Sequence, residues 1–154
     1  MKVLIEWLLL RWLPVTVLLL VGPAAVAADR EAHQHRLIIQ VTTDDPVLMR
    51  LALDNAVNVD RHYSELGEEV EMEIIAYGAG LHMLREDSSP VKARIKSISE
   101  SLRGIRFVAC GNTIRTMERN EGGPVRLVPQ AEVVDVGVAH IMELQENGWS
   151  YVRP

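Results

Sequence analysis

Short, mostly apolar runs alternate along this chain with longer stretches in which apolar residues recur every three or four positions. The runs are Arg36–Val41 (RLIIQV), Val70–Tyr77 (VEMEIIAY), Ile105–Cys110 (IRFVAC), Ala131–Val136 (AEVVDV) and Trp149–Val152 (WSYV). Runs of this length and character read as strands buried within a sheet. Between the first two, Leu48, Ala52, Ala56, Val59, Tyr63 and Leu66 share one helical face. An Asp or Thr of Thr42-Thr43-Asp44-Asp45 can cap that helix, Pro46 sits in its first turn, and Gly67 stops it. Gly78-Ala79-Gly80 breaks the second strand, and Leu81–Arg85 has room for one helical turn. After Ser88-Ser89-Pro90, Val91, Ile95, Ile98 and Leu102 space a second helix that ends at Gly104. Gly111-Asn112-Thr113 opens a short helix to about Arg119, and a Gly/Pro-rich loop, Asn120–Pro129, follows it. Gly137 leads into a last helix with Val138, Ile141, Met142 and Gln145 on one side, closed by Asn147-Gly148.

Regular β-α alternation with short links means parallel strands joined by right-handed crossovers, with helices on both faces. The expected fold is therefore α/β, a flavodoxin-like three-layer sandwich around a five-stranded, mostly parallel sheet. Open sheets of this kind place ligands and chemistry outside the carboxyl ends of their strands. Three loops then form the expected functional edge: Thr42–Asp45, Tyr77–Leu81 and Cys110–Thr113.

Residues 1–27 read as a signal peptide. Lys2 and Arg11 carry positive charge, Leu13–Val21 (LPVTVLLLV) is apolar, and Ala25-Val26-Ala27 supplies a small-x-small cleavage pattern. The run is shorter than the roughly 20 apolar residues of a membrane span. Cleavage would place the protein in the periplasm. The rival expectation is an uncleaved anchor, because Ile5–Leu10 adds apolar length; the membrane enters only through this segment. Residues 28–35 read as a flexible lead-in, and 36–154 as one domain.

The balance of 48% hydrophobic and 24% charged residues is globular, and the net charge of −5 leaves no basic footprint for nucleic acid. The basic stretch Lys92, Arg94, Lys96 and Arg103 reads as one solvated or partner-facing side of an acidic protein. A single cysteine excludes an intrachain disulfide and a multi-thiolate zinc site. His33 and His35 form a His-x-His pair, read as solvated chain rather than a metal site. Asp44 and Asp45 read more cheaply as helix caps than as a carboxylate pair. The GxG of Gly78 and Gly80 lacks the spacing of a nucleotide fingerprint and reads as a tight turn or pocket wall. No metal or cofactor is expected.

Cys110 is the leading candidate for chemistry. It closes a strand and precedes a helix, where free backbone N–H groups and the dipole favour thiolate. Gly111, Asn112 and Thr113 would line its site, and Arg106 and Arg115 are near in sequence. It is expected to lie open at the sheet rim; the competing reading is a small buried hydrophobe. His82 is a candidate base across the same edge.

The segments LHMLRED (81–87), GIRFVACGNTI (104–114) and VGVAHIMELQENGWSYVRP (136–154) resemble the DsrE/DsrF-like family, including its YchN-like members. The ACGNT stretch and the ELQ-x-x-G-W-x-Y-x-R-P tail are its most specific parts, and the resemblance runs from about Arg36 to Pro154. It implies a five-stranded α/β fold assembling as a homotrimer or homohexamer. It also implies a sulfur carrier, in which Cys110 accepts sulfane sulfur as a persulfide from a donor and yields it to an acceptor thiol protein. Gly78, Gly80 and His82 would shape the pocket, and Gly111, Asn112 and Thr113 would steady the charge. The best-known relay members are cytoplasmic, so the exported leader is a departure. The alternative class is a non-catalytic oligomeric periplasmic binding protein in which Cys110 is structural.

Overall fold

A computed structural model describes residues 35–154. The signal-peptide reading of 1–27 lies outside the described residues, as does the lead-in except for His35, which opens the first strand. The strands are β1 (His35–Val41), β2 (Val70–Ala76), β3 (Ile105–Cys110), β4 (Ala131–Val134) and β5 (Ser150–Val152). The helices are α1 (Pro46–Glu65), α2 (Lys92–Ser101), α3 (Gly111–Glu121) and α4 (Gly137–Glu146). A 3-10 segment, Gly78–Leu84, replaces the expected break and single turn. Every strand pairing is parallel and the order is β4-β3-β2-β1-β5, the flavodoxin-like α/β arrangement expected.

The order dictates how the helices are distributed. From β1 to β4 the chain steps one strand at a time in one direction. Right-handed crossovers then put α1, α2 and α3 on one face. The return from β4 to β5 crosses the whole sheet in the other direction, so α4 alone covers the second face. The first face holds the main core, with Ile39, Ile74 and Phe107 of the sheet against Met49 and Leu53 of α1 and Ile95 of α2. Burying each such side chain contributes about 1.5–3 kcal/mol. The second face holds a smaller cluster, Ile38, Ile75 and Val108 under Ile141, with Leu144 and Trp149 at its edge.

The expected α1 stripe largely holds, with Ala52 and Ala56 buried and Val59 and Tyr63 packed on the core, while α4 is rotated from its expected phase. In α1 the buried positions are Met49, Ala52, Leu53 and Ala56, and Leu66 is exposed. Leu48, Met49, Leu51 and Leu53 are all apolar, so the pattern permits several phases and packing on the sheet selects one. In α4, Gly137 and Ile141 are buried, whereas Val138 and Met142 are exposed. Strand β4 stops at Val134, two residues early, because Asp135 turns to accept the Asn112 N–H at 2.9 Å through its carbonyl. Asp45 caps α1, its carboxylate accepting the Val47 N–H at 2.7 Å. The buried Arg85 guanidinium is clamped by Asp87 and Glu121, which ties the 3-10 segment to α3. No helix among the described residues is long and apolar enough to cross a membrane.

Candidate functional site

Adjacent strands β3 and β4 send their helices to opposite faces of the sheet. Such a division opens a crevice at the carboxyl edge. Cys110 lies in it, at the last position of β3 and the N-cap of α3. Gly137 begins α4 beside it. A Cβ on Gly137 would stand 3.1 Å from Cys110 Cβ and 3.6 Å from Sγ, so α4 approaches this closely because the residue is glycine.

Two helix amino termini thus converge on one sulfur. Gly137 N–H donates to Cys110 Sγ at 3.2 Å. On the α3 side, the Thr113 N–H and hydroxyl and the Asn112 backbone, whose N–H is also held by the Asp135 carbonyl, favour the charged sulfur. Burial pushes the thiol pKa up, but the donors from Gly137, Thr113 and Asn112 together outweigh it and hold the thiol below its ordinary value. This is the environment in which a cysteine becomes a nucleophilic thiolate. Cys110 is only 5% exposed, so the expectation of an open rim is corrected: α4 folds over the sulfur from the second face.

Thr113 links two of the expected loops. Its hydroxyl oxygen accepts the Gly78 N–H at 3.1 Å, which leaves the hydroxyl proton for Sγ. Gly78 turns with φ of +56°, a left-handed conformation that suits glycine. Gly80 is pressed against the end of β1; a Cβ there would be 2.2 Å from the Val41 carbonyl oxygen. Gly111 packs by the Val134 carbonyl and the Arg115 side chain.

His82 is not brought to the thiol by any hydrogen bond. Its Nδ1 lies 2.9 Å from Ser88 Oγ. The 3-10 geometry of Gly78–Leu84 turns it there, so the expected Cys–His pair is corrected to a cysteine activated by N–H and hydroxyl donors. Neither expected arginine contacts the sulfur: Arg106 bonds Glu73 and Glu132, and Arg115 pairs with Asp135.

Tyr77, from one of the expected loops, is joined at this edge by Gln40, Tyr151 and Arg153, which had no counterpart among the sequence candidates. Tyr77 directly follows β2, next to the Ala76–Ala109 pair that precedes Cys110, and packs against the second-face cluster. Its hydroxyl accepts from Gln40 Nε2, and Gln40 Oε1 accepts from the Tyr151 hydroxyl. Burial, then the neighbouring Tyr151, hold the Tyr77 hydroxyl above its ordinary pKa, while Arg153 pulls the other way. Arg153 also lines a recess of about 60 Å³ with Gln40, Thr42 and Thr43. Gly137 carried a legible signal: like Gly111, it is a glycine between a strand and a helix start. Tyr151 and Gln40 had none, being 111 residues apart in the chain. A larger groove of about 520 Å³, lined in part by His35, Tyr63 and Val152, lies away from the thiol.

Fold and site together define a parallel α/β domain with a donor-cradled thiol at its topological switch point. No family model and no curated protein matches the chain. Among solved structures it is similar to MTH1491, a protein of unknown function from Methanobacterium thermoautotrophicum, at 31% identity. That match covers 79% of this chain and all of the other, with a TM-score of 0.67. The chain belongs to the same family as that archaeal protein.

Proposed function

We propose that this protein is a sulfur carrier of the DsrE/DsrF-like kind, holding sulfane sulfur on Cys110 as a persulfide. The observation that carries the reading is the cradle of donors from two helix termini around a single sulfur. A thiolate there attacks the outer sulfur of a donor such as thiosulfate. The new Sγ–S bond forms as the donor's S–S bond breaks, and the electron pair leaves with sulfite. An acceptor thiolate then attacks the outer sulfur, and Cys110 departs as thiolate. The same N–H donors that stabilise the starting thiolate stabilise this leaving group. Arg153, which lines the recess with Gln40 and Thr42 and acts electrostatically on Tyr77, supplies positive charge on this edge for an anionic donor.

The expected leader would place this activity in the periplasm, with the anchored form as its alternative. Self-association as a trimer or hexamer would cover Val138 and Met142, apolar side chains left 46% and 57% exposed on α4. Light scattering of the purified domain is expected to give three or six times the monomer mass; a monomer overturns the assembly.

A second reading, a binding protein with a structural cysteine, is favoured by the near-complete burial of Cys110. Mass spectrometry after incubation with thiosulfate or polysulfide separates the two. The carrier gains a sulfur that a reductant removes, and Cys110→Ser gains none. Equal mass gains for wild type and Cys110→Ser after treatment leave the structural reading.

A further inference from the structure

We infer that His140 and Glu73 are positioning residues for the Cys110 thiolate: their buried contact seats the start of α4 so that the Gly137 N–H meets Sγ. Glu73 lies in the middle of β2, on the sheet face that α4 covers, and is 1% exposed. An unpaired carboxylate buried to that extent is expensive, and nothing about packing in that layer requires an acid. Both its oxygens are used. Oε1 accepts from Arg106 Nη1 at 2.7 Å, and Oε2 lies 2.7 Å from His140 Nε2. Arg106 is held in turn by Glu132 of β4. The acid is therefore fixed from β3 and β4, and offers one oriented bond to α4.

That bond matters because α4 has little else to define its position. Its apolar contacts are Ile141 and Leu144 against Ile38, Ile75 and Val108. Apolar contact is non-directional, so a slide of about 1 Å changes the buried area little. The same slide breaks an N–H···S bond whose strength depends on distance and angle. His140 stands one turn from Gly137, and its N–H donates to the Val136 carbonyl at 3.0 Å, so the two residues move as one body. Through that turn, the hold of Glu73 on the imidazole is conveyed to the sulfur.

The inference rests on the reading of Cys110 as a thiolate, but its test needs no sulfur donor. Ionisation of Cys110 is followed by thiolate absorbance against pH, with Cys110→Ser as the blank. His140→Leu is expected to raise the midpoint by about one pH unit, as loss of one N–H donor to a thiolate should. His140→Gln, whose amide nitrogen replaces Nε2, is expected to keep the wild-type midpoint. Leu144→Ala, which loosens α4 without touching Glu73, is expected to lower stability and leave the midpoint in place. A folded His140→Leu with an unchanged midpoint overturns the inference. Should that variant fail to fold, His140→Asn, whose amide ends short of Glu73, decides in the same way. Sulfur loading can fail while this midpoint still moves, so failure of the carrier reading and of this inference are read separately.

Discussion

Gly80→Ala is expected to cost the fold about 3 kcal/mol or more, the range of severe core overpacking. The new Cβ would stand 2.2 Å from the Val41 carbonyl oxygen, 2.5 Å from its carbon and 2.8 Å from the Thr42 nitrogen. All three atoms are backbone, so no side chain can swing aside. β1 is bonded to β2 on one side and β5 on the other, so it cannot yield either. The 3-10 segment must lift instead, taking the fully buried Leu81, Met83 and Leu84 out of the core. Urea denaturation should show a lower midpoint with an unchanged slope. Gly123→Ala, where an added Cβ meets nothing within 4 Å, is the control and should stay within about 0.5 kcal/mol. A Gly80→Ala variant as stable as that control would mean that the segment does not press on β1 as described.

Thr113→Val is expected to have the largest effect on reactivity. The substitution keeps shape but removes the hydroxyl that donates to Sγ and accepts from Gly78. Loss of that donor should raise the Cys110 midpoint by about one pH unit, so alkylation below the midpoint slows roughly tenfold. The sign follows from what reacts. Only thiolate is alkylated, so the rate climbs with pH, is half-maximal at the midpoint and reaches a plateau above it, and a higher midpoint moves the climb to higher pH. The plateau itself should change little. Loss of the Gly78 N–H bond, which is exposed, costs at most about 0.5–1.5 kcal/mol of stability, since water can replace the acceptor. Thr113→Ser should recover both properties. Iodoacetamide labelling across pH measures this, and a profile in Thr113→Val superimposable on wild type would remove the hydroxyl from the account.

These two sites differ in how far they could be read beforehand. The need for a glycine after β2 was visible as a turn signal, but the atom it avoids belongs to β1, brought there by the parallel pairing. Cys110 stood out because a strand end and a helix start meet at it in the chain. The second helix terminus at the same sulfur comes from residue 137, and nothing local to Cys110 points to it. His82 was misplaced for a related reason: neighbouring loops share an edge, but the 3-10 geometry turns the imidazole to Ser88. The phase of α4 was misread because apolar residues lie around most of its circumference. The contacts of Gly137 with Cys110 and of His140 with Glu73 choose the phase, leaving Val138 and Met142 outward.

Hydrophobic periodicity, caps and glycine stops act over a few residues, and by themselves they determined the elements, the parallel sheet and the placing of Cys110 at its carboxyl edge. The order of the strands was decided only when the chain closed on itself. That order sends α3 and α4 to opposite faces and brings both amino termini to one sulfur. Acidity, burial and the second-face tether of His140 to Glu73 depend on through-space distances between residues far apart in sequence, and only the packed tertiary structure sets those.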